Sequence, residues 1–338
     1  MSPYITRAAR LRPLAITALS VAAAVTLNAC DAGGADGPTS SASRAPKGVI
    51  TKAAAKKLLD RYESVNYRSN QARNEKLLST VEAGQLNAQS TADYEQWKTR
   101  TKKDQKKYTS KWSYTNRSYY IPSAGTASWF AVKATATADT TYECLLLFDK
   151  VGGTYKVVDA VYAKKGLIPK LATDRNGLAT AVDPAKRVGT LSPNQVGDAL
   201  SDVLETGGKK EGTLLASTAD TEAYRKWYTQ RDTSTTGKDL SWRTLRYFTK
   251  DPAHPKVYSL RLANGGALGV FPYAFNAEYL DTRYTSGDRI IPSKEEAIYD
   301  SKDRPVVIDV YQGQAIAALT STGKPRVLGD EERMVDSR

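Results

Sequence analysis

The sequence predicts an α+β protein in which one unit, helices first and strands after, occurs twice. Three observations carry that expectation. Apolar residues recur at helical spacing, then alternate at strand spacing, and this order is run through two times. The tetrapeptide Ser90-Thr91-Ala92-Asp93 returns as Ser217-Thr218-Ala219-Asp220. Tyr94-x-x-Trp97 returns as Tyr224-x-x-Trp227, and the next tryptophan follows at the same distance in both places, at Trp112 and Trp242. The repeat length, about 130 residues, exceeds that of solenoid repeats, so each copy is expected to be a full domain. Residues held in place by a duplication are most simply core, and Trp97, Trp112, Trp227 and Trp242 are read that way. Trp129 has no tryptophan counterpart, so it is a candidate for a pocket peculiar to the first copy.

The chain opens with Arg7, Arg10 and Arg12, followed by an apolar run over residues 14–27 and no acid before Asp31. That is the pattern of a secretory signal, too short and wrongly flanked for a lasting membrane span. No paired arginines precede the run, so the general export route is expected. The run closes on Leu27-Asn28-Ala29-Cys30, which resembles the lipobox of bacterial lipoproteins, with Asn28 where a small or aliphatic residue is usual. The resemblance implies cleavage after residue 29 and a diacylglyceryl group on the thiol of Cys30. Two acyl chains anchor where one would not. Residues 31–48 hold no large apolar side chain and are expected to be a flexible stalk.

In the first copy, residues 49–169, Ala55, Leu58, Leu59, Tyr62 and Val65 mark one face of a helix. Leu77, Leu78 and Val81 mark a second helical piece, and Ser90-x-x-Asp93 reads as the capping box of a third. Strands are expected over 111–121, 128–136, 141–149 and 154–162, the last two joined by a hairpin at Gly152-Gly153. A linker spans 170–190. In the second copy, residues 191–329, Ser192-Pro193 starts a helix whose stripe is Val196, Ala199, Leu200, Val203 and Leu204, stopped by Gly207-Gly208. Another helix begins at Ser217. Strands follow over 240–249, 257–262 and 268–275 and, after a polar insertion at 280–304, over 306–311 and 315–319. Residues 330–338 are left as a C-terminal tail.

This element order resembles the NTF2-like, cystatin-like cone, in which a curved antiparallel sheet wraps helices. Tandem copies behind a lipobox resemble secreted lipoproteins of Gram-positive, actinobacterial type. The resemblance implies a pocket between helix and sheet in each copy, and it implies no activity, because such folds host enzymes and binding modules alike.

Chemistry is sparse. His254, the sole histidine, lies in a Pro-flanked turn, so two-histidine metal sites and histidine triads cannot be built within one chain. Cys144 sits among Leu and Phe in a strand and reads as a core thiol; with Cys30 acylated, it has no disulfide partner. The glycine pairs are turns, not phosphate loops, and no cofactor is expected. NTF2-like enzymes often set an acid in an apolar pocket, which makes Asp159 and Asp309 the carboxylate candidates; simple strand alternation would instead point them to solvent.

Losing the three signal arginines leaves 46 basic residues against 36 acidic. The charge is concentrated in Lys98, Arg100, Lys102, Lys103, Lys106, Lys107 and Lys111, with Asp104 the one acid among them. The corresponding stretch after Trp227 is balanced, so the fold does not require this charge. It is either a solvated helix face or a contact for anionic lipid or wall polymer; nucleic acid is not an expected partner outside the cell. The sequence therefore points to a lipid-anchored protein on the outer face of the membrane that binds an envelope protein or component without catalysis. The alternative is an NTF2-like enzyme or small-ligand binder using a pocket carboxylate. A transporter's solute receptor is disfavoured, because alternating βαβ lobes are missing.

Overall fold

A computed structural model describes residues 47–231, 243–281 and 289–338. The signal segment, Cys30, nearly all of the stalk, and Trp242 lie outside the described residues. Helix α1 (Lys52–Ala72) begins where the Thr51 hydroxyl accepts from the Ala54 N–H at 3.2 Å. It ends at Arg73, held in the left-handed conformation at φ 52°. Helix α2 (Glu75–Leu78) is capped by Asn74. Helix α3 (Gly84–Glu95) starts well before Ser90, so the expected capping box lies in the middle of a helix. Trp97 follows in a 3-10 turn over Gln96–Thr99, and helix α4 (Lys102–Tyr108) is capped by Thr101.

Strands β1 (Tyr114–Tyr120), β2 (Phe130–Ala136), β3 (Tyr142–Val151) and β4 (Thr154–Lys164) form one antiparallel sheet in chain order. Gly152 and Gly153, at φ 60° and 81°, make the tight turn that a two-residue hairpin demands. The second series repeats the plan. Ser192 and Gln195 form a reciprocal cap, and α5 (Val196–Thr206) is stopped by Gly207 at φ 78°. Helix α6 (Ala219–Gln230) is capped by Thr218, one residue later than expected. Strands β5 (Arg243–Lys250), β7 (Ala267–Asp281), β8 (Val306–Leu319) and β9 (Arg326–Ser337) form a second antiparallel sheet, with β6 (Tyr258–Arg261) paired to the start of β7.

Two strand expectations need correction. Residues 306–311 and 315–319 belong to one continuous strand, and the supposed tail at 330–338 is mostly β9. Its Asp330, Glu331, Glu332 and Arg333 look like a solvated terminus, yet they pair with β8 across a bulged register.

Both faces of each sheet are covered. Phe130, Val132, Cys144, Leu146 and Phe148 meet α1, while Phe271, Tyr273, Ala315 and Ala317 meet α5. The alternate residues meet each other: Trp129, Leu145, Leu147 and Val161 of the first sheet pack with Tyr258, Leu268, Val270 and Ile316 of the second. This explains why β3 reads as an unbroken apolar run, Cys-Leu-Leu-Leu-Phe. The segment expected to be a linker is built into the same contact. Ala172 donates to Arg261, Arg261 to Thr180, and Val182 to Ser259 at 2.9, 3.0 and 2.9 Å, while Leu171 and Ala179 pack between the sheets.

Candidate functional site

The interior of each unit is occupied by the protein itself. Beneath α1, Phe130 and Phe148 stack at 4.7 Å. Behind them Tyr62 and Asn66 donate to Glu82 Oε1 at 3.2 and 3.0 Å, Asn70 donates to Asn66 at 2.8 Å, and Tyr94 donates to Asn70 at 2.6 Å. Burial pushes the Glu82 carboxyl up to about 7, against the pull of its hydrogen bonds. Cys144 is fully buried beside Tyr114, whose hydroxyl lies 3.7 Å from Sγ, and burial pushes the thiol up to about 12. It is a core thiol with no nucleophilic character at neutral pH.

Beneath α5 and α6 the interior is more acidic. Tyr224 donates to Asp330 Oδ2 at 2.7 Å, Tyr273 reaches Glu332 Oε2 at 3.1 Å, and the two phenols lie 2.6 Å apart. Burial, then the neighbouring Glu332 and Asp220, drives the Asp330 carboxyl well above the ordinary carboxylate range. Sequence reasoning missed this group because it took β9 for a tail. The alternation of Asp330, Glu332 and Met334 was the available signal.

The three expected pocket residues are buried. Trp129 packs edge-on against Tyr258 at 5.3 Å, in a seam with Leu145, Leu147 and Val270 that leaves no room for a water molecule. Asp159 and Asp309 are 3% and 0% exposed, not solvent-facing as simple alternation would have them. For Asp159, opposite Leu147, the reason is the second covered sheet face, whereas Asp309 lies beside Glu296 and Arg304 of the segment before β8. Burial, then the charge of Asp149, pushes Asp159 up to about 7. Burial and the adjacent Glu296 raise Asp309, against the pull of Ser337 and Arg304. Asp149 behaves differently. Burial would raise it, but Lys256, Ser128 and Tyr258 all donate to it and hold it below the usual range.

Open space occurs at the surface instead. Where α1, α3 and the 3-10 turn meet, Arg73, Glu75, Thr91, Tyr94, Glu95, Trp97 and Lys98 line a groove of about 330 Å³. The Arg73 guanidinium lies 5.1 Å from the Trp97 ring centre, and Tyr108 meets the same ring edge-on at 5.8 Å. Gln105 ties α4 to this corner by donating to Trp97 O at 3.0 Å. Trp97, Trp112 and Trp227 are all half-buried, but Trp112 and Trp227 pack on the two helix–sheet cores, whereas Trp97 lines the groove. Of the basic segment, Lys98, Lys102, Lys103, Lys106, Lys107 and Lys111 are exposed, and Lys98 lines the groove. Arg100 is not part of that surface: it pairs with Asp93, which also takes Arg333 of β9 at 3.1 Å. His254 is exposed, and among the described residues no cluster of His, Cys, Asp and Glu could hold a metal ion.

The family described as Domain of unknown function (DUF8094) matches residues 46–338, both sheets and the segment between them included. An uncharacterized lipoprotein of Streptomyces coelicolor is 31% identical over 308 residues, which cover 88% of this chain and 84% of the relative. The chain belongs to this family.

Proposed function

We propose that this family member is a lipid-anchored protein of the cell envelope, held through Cys30, whose body binds a partner without catalysis. One observation carries the binding reading. Both helix–sheet interiors are packed with the protein's own side chains, and a groove edged by Tyr94, Trp97 and Lys98 is open at the surface. A groove near 300 Å³ is at the small end of ligand sites, which suits a side chain or short segment of a partner better than an engulfed substrate. The lipobox-like Leu27-Asn28-Ala29-Cys30 and the lipoprotein name of the Streptomyces relative support the anchor. Export ahead of the anchor puts the body on the outer face. Each unit has the element order of an NTF2-like cone, and we read the body as two such units fused at their sheets, the second running to the end of β9.

The anchor is tested by Cys30→Ser, which should leave the membrane fraction while keeping its circular dichroism; a variant that stays with membranes through a high-salt wash refutes it. The binding role is tested by cross-linking in intact envelopes. Tyr94→Ala with Trp97→Ala should erase an adduct that the wild type forms, and an unchanged adduct pattern would remove the groove from consideration.

A further inference from the structure

We infer that the outer face of α1, continued by α4, is a docking surface for an anionic membrane, so that the body lies along the leaflet that holds its anchor. The inference rests on the lipid-anchor reading above. Helix α1 buries Ala55, Leu59, Tyr62 and Val65 and presents Lys57, Arg61, Ser64 and Arg68 to solvent. At 3.6 residues per turn those four positions fall within roughly 60° of arc, a straight stripe along the helix.

The acids of the helix do not neutralise the stripe. Asp60 is engaged by Lys56 and Arg117, and Glu63 by Arg117, on the flank that faces β1. Lys57, Arg61 and Arg68 have no acidic partner among the described residues, and Arg61 reaches only the Thr80 carbonyl at 3.5 Å. Gln71, next along the same face, donates to the Thr109 carbonyl at the end of α4. There α4 turns Gln105 and Tyr108 inward and leaves Lys102, Lys103 and Lys106 exposed, so the stripe passes onto a second basic surface.

The fold does not demand this charge. Helix α5, which holds the place of α1 in the second unit, contains neither Lys nor Arg and buries eight of its eleven residues. The position of the stripe selects the partner. Thr51, which caps α1, follows Cys30 by about twenty residues. That length of chain reaches at most about 70 Å, and α1 itself is about 31 Å long. Every cation of the stripe therefore stays within reach of the leaflet that carries the acyl chains, at a high effective concentration. A polymer elsewhere in the envelope has no such fixed distance from the anchor.

The test uses the lipidated full chain in vesicles of phosphatidylcholine, with and without phosphatidylglycerol. A nitroxide is placed at Ser64→Cys, or for comparison at Ser321→Cys in the turn after β8; Cys144 is buried and does not compete for the label. Phosphatidylglycerol should lower the water accessibility of the Ser64 label by about two-fold or more and leave the Ser321 label unchanged. About 0.5 M salt should reverse the shift, because exposed charges are then screened within a few ångströms. Lys57→Glu, Arg61→Glu and Arg68→Glu combined should abolish it while the chain stays anchored and keeps its circular dichroism. Equal accessibility in both vesicles, or wild-type behaviour of the triple variant, would overturn the inference alone. Protection of the Ser64 label by soluble poly(glycerol phosphate) but not by the anionic vesicles would overturn it in favour of a wall polymer. Loss of the chain from both kinds of vesicle would sink the anchor reading and this inference with it.

Discussion

Asp159 faces the seam between the sheets, opposite Leu147 in register, and burial pushes its carboxyl up to about 7. An unfolded chain releases this proton near pH 3.9. Between about pH 4 and 7 the unfolded state therefore binds fewer protons than the folded one, and stability falls as pH rises through that window, by about 1.4 kcal/mol per unit. Below the window both states are protonated and the penalty vanishes. Asp159→Asn should accordingly be more stable than the wild type at pH 8, by roughly 2 kcal/mol after allowing for a buried amide, and should show a flatter pH dependence. Urea unfolding at pH 5 and pH 8 measures both; a variant less stable at pH 8 would mean that the carboxylate has a partner worth more than its burial costs. Cys144 gives a second check at this scale. With its thiol pushed up to about 12, it should resist alkylation at pH 8 until the protein unfolds. Fast labelling of the native chain would show that the core under β3 opens.

Elements whose ends are set by local chemistry were legible in the sequence: the Gly152-Gly153 turn, the Ser192 cap and the Gly207 stop all stand where their residues place them. Helix α3 was misjudged because its beginning depends on distant partners. Gln85 and Gln89 look like solvent-facing residues, yet Gln85 donates to Gly313 O at 3.0 Å, and Gln89 to Gln312 O and Glu331 O, both at 2.9 Å. The carboxylate candidates went astray for a related reason. Period-two alternation separates two faces but cannot say that both are covered: a second sheet covers the side of Asp159, and Glu296 and Arg304 of the inserted segment stand beside Asp309. Of the groove, Trp97 was visible as a repeated residue, but its half-exposure follows from Arg73 and α4, which no spacing rule brings together. Gln314 tests how much such long-range amides matter. It accepts from Ala160 N at 2.9 Å, donates to Ala160 O at 3.2 Å and donates to Gln89 at 2.8 Å, occupying the free edge of β4 as a strand would. Gln314→Leu strands buried polar groups on both sides, at about 1–3 kcal/mol for each left unpaired, so a loss of about 3 kcal/mol in urea unfolding is expected. A change below about 0.5 kcal/mol, the level of an ordinary surface substitution, would show that water replaces the side chain and that the edge is not sealed.

At the scale of the molecule, duplication suggests two independent units, whereas the packing argues for one cooperative body. Trp129, Leu145, Leu147 and Val161 pack against the second sheet and the segment joining the units, and α3 lies against β8 and β9. Separated, residues 47–169 would expose that apolar face together with the amides of Gln85 and Gln89, so the piece should bind a hydrophobic dye and lack a sharp transition. The intact chain should unfold in a single step in which tryptophan fluorescence and far-ultraviolet dichroism coincide. A close approach of the two sheets supplies a sharper test. A Cβ on Gly329 in β9 would lie 2.1 Å from the Tyr162 carbonyl oxygen of β4, a backbone atom that cannot swing away. Gly329→Ala must therefore push β9 off β4, and the displacement carries the Arg333–Asp93 pair and the Gln89 hydrogen bonds with it. Neither helix–sheet core contains Gly329, so each should survive the change better than the seam does. The expected result is a loss of about 2 kcal/mol or more, the cost of overpacking a tight contact, and a split of the single transition into two as the units come apart. If Gly329→Ala unfolds in one step at the wild-type midpoint, the seam is plastic and the two units are coupled by the connecting segment alone.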